Sequence, residues 1–556
     1  MNSNTIAITD FSDARELSND ATSAVRTALA FCRENRVQKL VFPNADYHFR
    51  PDRATEEYLF ISNNDEGLKR IAFPIFGFDG LEIDGRGSEF FFHGAILPFV
   101  ILHSQRVSLR NFHIDWTRTF HNEGAILAAG DGYVDLRIAP QFPYKIQHGK
   151  ILFLREHGET SGFCNILEFD SGRRETAFLA FDNHGIGSRY TAEEIGSGEV
   201  RIHADFAKPL PQPGNVLILD DERRDCPGIT IIDGSGIHID GVTLYHAGGM
   251  GVIAQTSRDI RLQTVRVTTR PGSNRMVSTT ADATHFVNCS GTIELNSCHF
   301  EYMMDDPTNV HGIYGSIVAH PDPCAIEVKL RHHQQFGVDI AAPGDLLEFV
   351  SSRTLLTFHQ STVISARRLN KELTQFTFAE PLPVGLCLGD AVANLSRTPD
   401  LTIRNTVTRC NRARGFLIST PGLVLIEENF FHNPGAAILI AGDVNHWFES
   451  GAVRNVVIRR NRFENCNYGV WGCAAIDVHP EIESGDSSSY HRNITIEENT
   501  FVAFDRRIVR ARCVDGLAIR RNLVEHSAAY PPQHQDAGLF DVSGCANVTI
   551  EDNQMR

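Results

Sequence analysis

Residues 424–430 read Val424-Leu-Ile-Glu-Glu-Asn-Phe430, and the pattern returns as Val457-Ile-Arg-Arg-Asn-Arg-Phe463, Thr495-Ile-Glu-Glu-Asn-Thr-Phe501, Ala518-Ile-Arg-Arg-Asn-Leu-Val524 and Thr549-Ile-Glu-Asp-Asn553. Apolar and polar residues alternate up to the asparagine, which is the period of a strand with one buried face. The asparagines Asn429, Asn461, Asn499, Asn522 and Asn553 are 32, 38, 23 and 31 residues apart. A fixed strand motif at spacings of about 20–40 residues is the signature of a solenoid. Stacked Asn side chains can hydrogen-bond from rung to rung, and Asn tolerates the left-handed backbone of a tight turn. We therefore read these asparagines as a structural ladder at the turns.

Working outward, similar runs recur upstream: Leu81-Glu-Ile-Asp84, Val107–Ile114, Ile237–Leu244 and Ile260–Val267. Residues 19–36 have helical periodicity, with Asn19 or Asp20 as N-cap and Val25, Leu29 and Cys32 on one face. A helix there would cap the open apolar end of the solenoid. Two strand-rich segments, 121–226 and 313–398, break the rung rhythm. They end alike: Lys208-Pro-Leu-Pro211 precedes Pro227 and Glu380-Pro-Leu-Pro383 precedes Pro399, each at an offset of 18 residues. The sequence thus predicts an all-β chain. A cap and first rungs occupy 1–120, an inserted barrel or sandwich 121–226 and central rungs 227–312. A second insertion occupies 313–398 and the last rungs 399–556.

At 556 residues the chain exceeds one ordinary compact core, which a solenoid accommodates by adding rungs. A net charge of −16 argues against nucleic acid and anionic membranes, and against polyanions such as pectate. No apolar run approaches the roughly 20 residues of a membrane span. The N-terminal residues lack a basic and then apolar leader pattern. The expected location is secreted or periplasmic if a leader was removed, otherwise cytoplasmic. Twelve cysteines without a CxxC pair suggest buried free thiols and no zinc or iron–sulfur site. No Gly-rich phosphate loop, GxSxG elbow or HExxH helix is present.

The chemistry concentrates in residues 275–312. Asp282 lies in Thr280-Ala-Asp-Ala-Thr-His285, and Asp305 and Asp306 in Met304-Asp-Asp-Pro-Thr-Asn-Val-His-Gly312. One strand-like run, 292–300, separates them, so in a β-helix they stand one rung apart on the same face. Carboxyls gathered there repel one another, and at least one should keep its proton near neutral pH. One protonated and one ionised carboxyl is what cleaving a glycosidic bond requires. Alone, Asp282 fits an Asx turn, and the three acids with Asn309 would also suit calcium. The flanking His285 and His311 favour catalysis, with either tuning of the carboxyls or contact with sugar hydroxyls as their role. Asn309, Arg275, Trp447 and Glu449 complete the candidate substrate-binding residues.

These two motifs, with the helix, the rungs, the two insertions and the Asn-rich last rungs, resemble the exo-α-1,3-galactosidases of glycoside hydrolase family 110 over nearly the whole chain. The resemblance implies a right-handed parallel β-helix with two β-barrel insertions. It also implies metal-independent, inverting release of terminal α-1,3-linked galactose, from blood group B type or linear glycans, with no cofactor. It makes Asp305 the general acid and Asp282 with Asp306 the base that activates water, with the carboxyls diverging to the inverting separation. Galactose-terminated glycans are then the expected partner, and exposed solenoid flanks would allow a homodimer. The acid spacing is also similar to that of the polygalacturonases of family 28, but no Gly-His-Gly or Arg-Ile-Lys segment follows. A pectin hydrolase is the alternative. A glycan-binding β-helix without turnover is another, and a calcium-dependent pectate lyase ranks last because only Arg275 could serve as its base.

Overall fold

The computed structural model describes residues 4–482 and 489–556. Parallel strands coil into a long β-helix with two main walls. One wall, of 23 strands, begins with Thr5–Ala7 beside Lys39–Val41 and runs to Ala546–Glu551 and Gln554–Met555. The other has 13 strands and carries Leu97–Leu102, Ile229–Ile232, Val252–Gln255, Thr284–Val287, Thr308–Ile313 and Phe416–Ser419 in successive rungs. The alternation that announced the rungs is the burial pattern itself. In Asn455–Arg459 the two inner residues, Val456 and Ile458, are buried between more exposed neighbours. Their stacked equivalents Val424, Ile426, Ile494 and Ile496 form one continuous apolar core.

The asparagines sit between the paired short strands of each rung, and Asn429, Asn461, Asn499 and Asn522 are buried. Each Nδ2 donates to the next Oδ1, from Asn429 through Asn461, Asn499 and Asn522 to Asn553, at 3.0, 3.0, 3.0 and 2.9 Å. The left-handed residue is not the asparagine, as the sequence suggested, but the one before it: Glu428, Arg460, Glu498, Arg521 and Asp552 have φ of 53–58°. The turn frees the asparagine to point into the stack.

The cap is two helices, not one. Ala14–Asp20 is capped by Asp13, whose side chain accepts from the Glu16 N–H. Thr22–Asn35 follows with no side-chain cap, because its N-cap position is Ala21; Asp20, one residue earlier, accepts from the amides of Thr22 and Arg50. Val25, Ala28, Leu29 and Cys32 are buried, and the helix packs against Gly67–Phe76.

The first insertion is an antiparallel sheet of seven strands, from Asn122–Gly130 to Val216–Asp220, with a three-stranded sheet, residues 144–161, beside it. The second, Gly315–Asp322 to Ala391–Asn394, closes into a six-stranded barrel. We call them barrel I and barrel II. Barrel I leans on the last rungs, where Glu175 accepts from Tyr530 and meets His432 at 2.6 Å. Among the described residues no disulfide joins any of the twelve cysteines. Among the described residues no helix is long and apolar enough to cross a membrane.

Candidate active site

The strand pairs Thr284 with Thr308 and Thr308 with Phe416. Asp282, Asp306 and Arg414 each stand two residues before one of these, so they stack in a column on three consecutive rungs, and Asp305 is the adjacent residue. One oxygen from each of Asp282, Asp305 and Asp306 lies within 4.8 Å of the others. Nearest oxygens lie closer together than whole carboxyl groups, whose separation is about 6.5–9.5 Å in inverting pairs and about 5–5.5 Å in retaining ones.

Three arginines meet this cluster. Arg224, on the chain leaving barrel I, donates to Asp305 Oδ2 at 2.8 Å, and Arg412 donates to Asp305 Oδ1 at 3.0 Å. Arg414 donates to Asp306 from its main-chain N–H at 2.8 Å and from its guanidinium at 3.0 Å. The three carboxyls consequently differ. Burial pushes Asp305 up, but Arg412, Arg224 and Arg414 outweigh it and hold it below the usual carboxylate range. Burial and the charge of Asp305 push Asp282 well above that range. Burial, opposed by Arg414 and helped by Asp305 and Asp282, raises Asp306 to about 7. In the free protein the proton therefore rests on the Asp282–Asp306 side.

Behind Asp282 the protons can be counted. Asp282 Oδ2 meets His285 Nδ1 at 2.6 Å, His285 Nε2 meets His311 Nε2 at 2.8 Å, and His311 Nδ1 meets the Gly312 carbonyl at 2.7 Å. The carbonyl can only accept, so each of the three bonds needs one proton. That is one more than a carboxylate and two neutral imidazoles supply. Burial lowers His285 to about 4 and depresses His311 as well, which favours the uncharged form with the extra proton on Asp282. Asp282 Oδ1 accepts from the Asp306 N–H at 3.3 Å, tying the two rungs together.

Both imidazoles are buried with both nitrogens engaged. Of the two roles left open for them, the geometry fits tuning of the carboxyl and not contact with sugar hydroxyls. Asn309 is buried and donates to Glu449 Oε1 at 3.1 Å, and Glu449 lies 3.5 Å from His311 Nε2, so these two support the histidines from behind. Arg275 is elsewhere. It donates to Asp115 Oδ1 at 2.6 Å and to the Trp116 carbonyl at 3.1 Å, because its loop crosses to an earlier rung. Trp447 is 44% exposed and packs against His332 of barrel II, with ring centres 4.7 Å apart. Burial, His333 and Arg224 lower His332 to about 4.

Sequence reasoning missed Arg224, Arg412, Arg414, Asp182, His332 and Trp471. Arg414 was accessible in principle: aligning Asp282 and Asp306 on their strands and counting to Phe416 reaches it. Arg412, two residues earlier on the same rung, follows once Arg414 is placed, whereas Arg224, Asp182, His332 and Trp471 come from distant segments and carry no local pattern. Asp182 of barrel I grips Arg412 at 2.7 and 2.9 Å and accepts from Trp471 Nε1 at 3.1 Å.

Models of two domains match the chain: GLAA-B beta-barrel domain I over residues 122–217 and GLAA-B beta-barrel domain II over residues 325–392. Alpha-1,3-galactosidase A of Shewanella woodyi is 36% identical over 551 residues, covering 99% of this chain and 90% of that protein. Alpha-1,3-galactosidase B of Bacteroides thetaiotaomicron is 34% identical, covering 99% and 91%. A tailspike protein variant of E. coli bacteriophage HK620 superposes with a TM-score of 0.44 at 8% identity, covering 100% of this chain and 66% of that one.

Proposed function

The chain belongs to the family of the α-1,3-galactosidases A and B, and from that premise we propose how its carboxyls work. The protein is an exo-acting glycoside hydrolase that releases terminal α-1,3-linked galactose. Blood group B type and linear α-1,3-galactosyl glycans are its proposed substrates. The observation that carries the reading is the wall itself: three carboxyls on adjacent rungs, one held ionised and two held up.

In this proposal Asp305 protonates the leaving glycosidic oxygen, and Asp306 with Asp282 orients and deprotonates water for inversion. The resting protons lie on the other side, so substrate must redistribute them. A glycosidic oxygen accepting from Asp305 stabilises its neutral form, and the proton gained there leaves Asp306 ionised as base. The competing outcome is a double displacement with Asp306 as nucleophile. The anomer released first distinguishes them. Proton NMR of the enzyme with an α-1,3-galactosyl disaccharide should show β-galactose before mutarotation. Early α-galactose would replace inversion by the double displacement, and absence of galactose would overturn the activity.

A further inference from the structure

Asp305 is proposed as an acid, yet two arginines point at its oxygens. An unopposed guanidinium beside a carboxyl holds it ionised. One of the two is not unopposed. Arg412 spends Nε and Nη2 on Asp182, in the two parallel bonds of a bidentate pair, and only Nη1 is left for Asp305 and the Met304 carbonyl. Asp182 comes from barrel I, within Asp182–Gly185, and its Oδ2, which Arg412 Nη2 also holds, accepts from the Trp471 indole N–H. The pair is largely shielded, with side-chain exposures of 22% for Arg412 and 35% for Asp182.

We infer that Asp182 is a positioning residue of the reaction: by neutralising and aiming Arg412, the inserted barrel lets Asp305 take up the proton it must deliver. The inference rests on the reading of Asp305 as general acid. The groups facing Asp305 are Arg224, Arg412, Arg414, Asp282, Asp306 and Asp182. Arg412, Arg224 and Arg414 lower its affinity for a proton, and Asp182 raises it. Without the Asp182 charge, Arg412 turns its full field on Asp305, the carboxylate form gains, and the protonated fraction falls.

The test compares two substrates. An α-1,3-galactosyl disaccharide needs its leaving oxygen protonated, whereas α-galactosyl fluoride needs little such help. Asp305 is the low-titrating member of the cluster in the free protein, so it sets the acid limb of kcat/KM and the height of the plateau above it. Asp182→Asn should move that limb for the disaccharide by about one pH unit to the acid side and lower the plateau about tenfold, with the fluoride rate changed less than about twofold. Asp182→Glu, which returns the charge, should return the profile. The double variant Asp182→Asn, Arg412→Gln leaves no unpaired guanidinium to disturb folding, and in it the acid displacement should vanish. An unmoved profile, or equal losses on both substrates in a protein with wild-type melting, overturns the role of Asp182. Asp305→Asn is the control. If it too loses disaccharide and fluoride alike, the assignment of the acid falls, and this inference falls with it.

Discussion

Two columns of polar side chains climb this β-helix one residue per rung, and they solve the same stacking problem in opposite ways. The asparagine column repeats one residue. An amide has a donor and an acceptor, so Asn461 gives to Asn499 and receives from Asn429, and the stack is neutral and complete. The catalytic column cannot repeat. Two carboxylates at one position on adjacent rungs both accept and both repel, so Asp282 and Asp306 persist only with a proton held on their side of the cluster and Arg414 on the next rung. One column stores stability. The other is a local departure from the repeat, which is where function is expected.

The largest effects should come from breaking the catalytic column. Asp306→Asn should reduce kcat on the disaccharide by about 10³-fold, within the 10²–10⁴ range of positioned acid–base groups. It should also stabilise the protein at alkaline pH. Asp306 titrates at about 7 when folded and at about 3.9 when unfolded. The folded state binds the extra proton, so wild-type stability is full below about 4 and declines as pH rises through about 7. The asparagine variant lacks that decline. Melting temperatures from pH 5 to pH 8 should therefore diverge in favour of the variant, and parallel curves would show that Asp306 is not held under strain.

The mirror experiment is Asn461→Ala. It removes the acceptor of the Asn429 N–H and the donor to the Ile426 carbonyl, both buried. At about 1–3 kcal/mol for each orphaned group, the variant should lose about 2–6 kcal/mol in denaturant unfolding, with kcat unchanged. A loss of turnover without loss of stability would make the ladder part of the site.

The difference between the columns also explains what could be read in advance. The ladder and its rungs were legible because each position sees the same neighbours, so pattern alone dictates Asn429, Asn461 and Asn499. The three carboxyls were legible as a cluster, since one strand separates Asp282 from Asp305 and Asp306. Their charge states were not. Those depend on Arg224, on Asp182 of barrel I and on Arg412 of a later rung, and no local pattern ties these three to Asp305. Arg275 was misjudged for a related reason: proximity in sequence placed it beside Asp282, but its loop crosses to Asp115.

Arg414→Gln sharpens the contrast at a single rung. The main-chain bond from residue 414 to Asp306 remains, and only the charge is lost. Arg414 holds Asp306 down, so its removal should raise Asp306 further and leave less ionised base near neutrality. Asp306 titrates above Asp305 in the free protein, so the alkaline limb of kcat/KM should move to the alkaline side, and the plateau below it should fall about tenfold if the limb moves by about one pH unit, with the loss vanishing above both limbs. A uniform loss at every pH would mean that Arg414 binds sugar and does not set the base.

The smallest effect should lie at Asn553. It accepts from Asn522 and donates to the Ile519 carbonyl, as its counterparts do, but among the described residues its side chain meets no further asparagine. It is only part-buried, so water can reach the groups that Asn553→Ala would orphan. The cost should be about 1 kcal/mol or less, below that of Asn461→Ala by more than a factor of about two. The two variants remove the same atoms and the same kind of bonds, so the difference measures what enclosure adds to a stacked amide. Equal costs would mean that the ladder acts through local turn geometry at each rung, with nothing gained from stacking.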